Sequence, residues 1–60
     1  MIECKLIGYD GNIFFIIGKV ARKLRQNGQP EKAKEMAARV MSCKSYEDAL
    51  AVVQEYVTIT

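Results

Sequence analysis

Tyr9-Asp10-Gly11-Asn12-Ile13-Phe14-Phe15-Ile16-Ile17 decides the fold of this chain, because it admits two readings. Asp-Gly between apolar runs is the strongest short-range signal for a β-hairpin turn. Asn directly before an apolar-periodic run is equally a helix N-cap. Counting the residues that follow separates the two. Ile13, Ile16, Ile17, Val20 and Leu24 fall at i, i+3, i+4, i+7 and i+11, with Phe14 and Ala21 flanking that stripe. A strand over residues 13–17 would be buried on both faces and would leave only a short basic helix behind it. Gly18 costs a helix up to about 1 kcal/mol relative to Ala. The periodicity therefore favours a helix from Ile13, capped by Asn12 or Asp10, with the hairpin as the alternative. Asn27-Gly28 supplies the left-handed residue that commonly ends a helix.

Upstream, Ile2, Cys4 and Leu6 alternate with Glu3 and Lys5, the pattern of a half-buried strand over Ile2 to Ile7. Downstream, Pro30 suits a first helical position and Glu31 the positive N-terminal end. Ala33, Met36, Ala37, Val40 and Met41 repeat at helical spacing, and Lys44 closes this second helix. Ser45 starts a third helix with Asp48 three residues on, and Tyr46, Ala49, Leu50 and Val53 form its inner stripe. Val57-Thr58-Ile59-Thr60 is β-branched throughout and reads as a short strand. A lone four-residue strand is not stable, so Val57 and Ile59 are expected beside Ile2 to Leu6. The predicted architecture is a single α+β domain, 1–60. Three helices pack on a two-stranded sheet formed by the chain ends. Strand edges left open would invite a second copy.

Sixty residues, half of them apolar, are enough for one small core and too apolar for a disordered tail. Such a domain is marginal alone and gains from self-association. The longest apolar run, Ile13 to Ile17, is far below the roughly 18 residues of a membrane span. Glu3 and Lys5 interrupt the first segment, so a secretory signal is not expected there, and the chain reads as cytoplasmic. Cys4 and Cys43 have no metal-type spacing and are expected as reduced thiols on or near the core.

Chemistry is mostly excluded. Without histidine there is no Ser-His-Asp or Cys-His pair and no His-based metal site. Gly8-Tyr9-Asp10-Gly11 lacks the lysine a phosphate-binding loop needs. Asp10, Glu31, Glu35, Glu47, Asp48 and Glu55 fall mostly in first helical turns or on solvent faces. Catalytic, cofactor and metal residues are therefore not expected.

Charge is distributed unevenly. Residues 1–30 carry +3 and residues 31–60 carry −1. Lys19, Arg22, Lys23 and Arg25 are the candidate contacts to phosphates or to a partner, against the plainer reading of a solvated face complementing its own helix dipole. The same segment from Ile13 to Lys23 has the character of a basic amphipathic helix, but its apolar stripe is better used in the core than on a membrane. Phe14 and Phe15 are adjacent and point about 100° apart, so both cannot be central to one stripe. Core filling is expected for either, with one at the rim. Tyr9, Phe15 and Tyr56 are candidate partner contacts, although Tyr9 or Tyr56 would equally cover the sheet.

The run from Cys4 to Phe14, followed by Gly18, Val20, Leu24-Arg25, Gly28, Ser45-Tyr46-Glu47-Asp48-Ala49-Leu50 and Tyr56-Val57, resembles a family of small bacterial proteins. These are similar to proteins of phage and mobile elements, mainly from Gram-positive bacteria. The resemblance implies an intracellular bacterial protein and a helix after Asp10-Gly11-Asn12. It brings no activity, cofactor or binding residue. Two expectations follow: a non-enzymatic protein-interaction or regulatory module, plausibly homodimeric, or a nucleic-acid-binding accessory protein using the basic face of the first helix. No small-molecule ligand is implied.

Overall fold

A computed structural model of the chain describes residues 2–5 and 12–60. Tyr9, the turn at Gly8 to Gly11 and Leu6 and Ile7 of the expected first strand lie outside the described residues, whereas Lys5 is described and falls outside the strand. Five elements follow in order: β1 (Ile2–Cys4), α1 (Ile13–Gln26), α2 (Pro30–Met41), α3 (Tyr46–Val53) and β2 (Val57–Ile59).

The helix reading of the deciding stretch holds. Asn12 has extended backbone, and its side-chain oxygen accepts from Phe14 N–H at 3.1 Å. At the far end Gly28 takes φ +75°. Gln29 N–H donates to Leu24 C=O at 2.9 Å and Gly28 N–H to Arg25 C=O at 3.1 Å. This paired closure of the last turn is the Schellman arrangement. Pro30 then opens α2, its missing N–H costing nothing where no intrahelical acceptor exists. Ser45 caps α3 by accepting from Asp48 N–H at 3.1 Å.

The chain ends form a two-stranded parallel sheet with Ile2 opposite Val57, Glu3 opposite Thr58 and Cys4 opposite Ile59. A parallel pair needs a long crossover, and the three helices supply it. Thr60 N–H extends the ladder to Cys4 C=O at 3.1 Å. The alternation places Cys4 and Val57 in the core and leaves Glu3 and Thr58 outside. The core is Cys4, Ile16, Val20, Ala21, Leu24, Ala33, Met36, Val40, Ala49, Val53 and Val57. It draws on all five elements, so each terminal strand is held by helices that lie between them in sequence.

Four expectations are corrected. The second helix ends at Met41, three residues before Lys44, because its last turn tightens. Ser42 N–H and Cys43 N–H bond to the carbonyls of Arg39 and Val40, three residues back, and the Ser42 hydroxyl donates to Ala38 C=O. Met41 is 65% exposed, since at 100° per residue it has rotated about 100° from the centre of the Met36–Val40–Ala33 stripe. Tyr46, first in α3, lies at a surface groove with Ile13, Val40 and Cys43 rather than in the core. Neither Phe14 nor Phe15 fills the core, and both are exposed.

A candidate interaction face on the first helix

α1 is strongly two-faced. Ile16, Val20, Ala21 and Leu24 are buried, and Ile13 and Ile17 pack half-buried beside them. Setting Ile13 at zero on a helical projection, this stripe spans angles from about 300° through zero to about 80°. Phe14, Arg25, Gly18, Arg22, Phe15, Gln26 and Lys19 occupy the opposite arc, in that angular order. The sequence of α1 contains no Asp or Glu.

Phe14 is 68% exposed and Phe15 63% exposed. At roughly 200 Å² per Phe side chain, about 260 Å² of aromatic surface meets water. Covering it would contribute roughly 6 kcal/mol at 25 cal/mol per Å². Association itself costs about 4–15 kcal/mol, so the two rings alone give at best weak binding. Further affinity has to come from the charges beside them.

Those charges are where the sequence placed them, with one adjustment. Lys19, Arg22 and Arg25 are exposed, whereas Lys23 is half-buried at the edge of the apolar stripe. Arg22, Lys23 and Arg25 form no ion pair among the described residues. Phe14, Phe15, Gly18, Lys19 and Arg22 line a shallow groove of about 290 Å³. Gly18 is its floor. A Cβ added there would meet nothing within 4 Å, so no internal packing requires glycine at this position. The sequence marks the basic residues and Phe15 as candidate contacts, but Gly18 only as a helix weakness and Phe14 as a flank of the core.

The third aromatic candidate, Tyr56, is engaged within the chain. Arg39 donates through Nη1 and Nη2 to the two oxygens of Glu55 at 2.8 and 2.9 Å, and through Nη1 to the Tyr56 hydroxyl at 3.0 Å. The bidentate bond holds the Glu55 carboxyl below its ordinary range, and Glu55 with Tyr56 raises the Arg39 guanidinium further. This cluster ties the last turn of α2 to the α3–β2 connection. It was not foreseen, because its members are 16 and 17 residues apart and no local pattern marks them. Arg39, Glu55 and Tyr56 line a second groove with Lys32 and Glu35, which balance each other at 3.9 Å and leave that surface electrically neutral.

Cys4 is buried and Cys43 half-buried, both as free thiols. Cys43 Sγ contacts Arg39 C=O at 3.4 Å. Among the described residues no group of three or more Cys, Asp or Glu side chains is arranged to hold a metal. No described helix is long and apolar enough to cross a membrane. Comparison with protein-family models, curated proteins and solved structures returned no match, so the likeness to bacterial phage and mobile-element proteins gains no support there.

Proposed function

We propose that this chain is a small non-enzymatic interaction module whose contact surface is the outward face of α1. One observation carries the reading: two adjacent phenylalanines stand in solvent on a helix whose exposed charges are all basic. Interface centres are enriched in aromatic side chains and Arg. The buried core is formed without Phe14 and Phe15, and both rings keep most of their surface in solvent. A two-fold dimer through this face would bring together two basic helices with no carboxylate on either α1 to offset Arg22 and Arg25, so we take the partner to be a different molecule rather than a second chain. Free thiols on both cysteines fit a reducing compartment such as the cytoplasm.

Photocrosslinking tests the reading. Benzoylphenylalanine placed at Phe15 is expected to give a discrete adduct in cells, and the same group placed at Glu31 on α2 none. Equal adducts from both positions, or none from Phe15, would remove the assignment.

The acid-free basic face also favours a second reading, contact with nucleic acid through Lys19, Arg22, Lys23 and Arg25. Four phosphate contacts predict a logarithmic salt slope near about −3 on single strands. No binding to random duplex or single-stranded DNA at low salt ends this reading.

A further inference from the structure

We infer that the occupant of the α1 face is an acidic amphipathic helix of another protein, crossing over Gly18 with an apolar side chain seated between the two phenylalanines and Lys19–Arg22. The inference rests on α1 being the contact face and adds what sits there. Three features lead to it. First, Phe14, Gly18 and Arg22 form one i, i+4, i+8 row, and packed helices interlock along such rows. Removing the middle side chain leaves a gap in the ridge, and small residues at a crossing point let two helix backbones approach closely. The gap is the 290 Å³ groove, open above the Gly18 Cα. Glycine inside a helix is unfavourable, and no contact among the described residues calls for it here.

Second, charge complementarity selects the partner's sign. From Arg22 at the groove the face continues to Arg25, with no carboxylate on the helix. Carboxylates on the incoming helix meet guanidinium groups that make bidentate contacts. A second copy of α1 brings only more positive charge. Nucleic acid is the poorer fit, because the chain's net charge is only +2 and the aromatics cluster at one end of the face instead of alternating with the cations.

Third, size selects a helix over a broad surface. α1 is 14 residues long, about 21 Å. A standard interface takes about 800 Å² from each partner, near one-fifth of this chain's 4097 Å². The outer arc of one 14-residue helix is too narrow for that, and matches a single crossing helix.

A displayed library of amphipathic helical peptides, selected on the full chain, tests the inference. Enriched peptides are expected to place Asp or Glu around one large apolar residue. Their affinity, read by fluorescence anisotropy, is expected to fall about tenfold or more for Gly18→Leu and for Arg22→Glu. Circular dichroism checks that both variants stay folded, and Gly18→Leu adds its side chain into open space. Enrichment without acidic residues, or peptides indifferent to both substitutions, would overturn the inference. A labelled oligo-dT strand and anionic phosphatidylglycerol vesicles serve as the other arms. If one of these binds and Arg22→Glu abolishes it, the occupant is wrong but the face stands. If no probe responds to any α1 substitution, the face itself is wrong.

Discussion

Gly18 and Gly28 are both glycines of the first helical region, yet the backbone asks different things of them. Gly28 sits at φ +75°, where a side chain is strained, and it lets the Schellman bonds close α1. Gly28→Ala is expected to destabilise the chain by about 1 kcal/mol in urea titration. Gly18 has ordinary helical geometry and open space above it. Gly18→Ala is expected to stabilise by roughly 0.5–1 kcal/mol while weakening partner binding, so stability and function move in opposite directions. Glu55 gives a third residue-scale expectation. Its folded carboxyl titrates below the ordinary 4.5 because Arg39 donates two hydrogen bonds to it. Its contribution is therefore present above the unfolded value and is lost as pH falls through the lower folded one. Melting temperatures followed below pH 5 are expected to fall less steeply for Glu55→Gln, by a small margin because the pair is solvent-exposed.

At the scale of the elements, burial rather than propensity holds α1 in place. Leu24 is fully buried where α1 meets the rest of the core. Leu24→Ala is expected to cost about 2–5 kcal/mol, read by chemical denaturation. A 60-residue domain has only roughly 3–9 kcal/mol in total, so this single change leaves much of the population unfolded. The elements themselves were legible in the sequence because their signals are local. Asn12, Gly28, Pro30 and Ser45 mark the helix boundaries, and apolar spacing marks the buried stripes. One phenylalanine was expected at the rim, yet both are exposed, because apolarity alone does not say which face of a helix a ring occupies. Met41 lies off the buried stripe by its angular position, and Lys44 falls beyond the helix because the final turn of α2 tightens through backbone bonds that the apolar spacing does not announce. The Arg39–Glu55–Tyr56 tie was invisible because only the packed helices bring it together. Of the candidate contact face, the cations could be read from spacing. The groove at Gly18 could not, since it depends on how the rings of Phe14 and Phe15 are turned in the folded chain.

At the scale of the whole molecule, the two ends of the chain meet in one sheet, and the helices between them share one core. That closure leaves α1 with a complete apolar stripe inside and a second, aromatic and basic surface outside. Phe14 and Phe15 lie outside the first and stand on the second. The most direct measurement is quantitative affinity capture with the wild-type chain and the double variant Phe14→Ser, Phe15→Ser, alongside their melting temperatures. The expected result is an unchanged or higher melting temperature with loss of the partner recovered by the wild type. Full recovery of that partner by a folded double variant would contradict the assignment of α1 as the contact face.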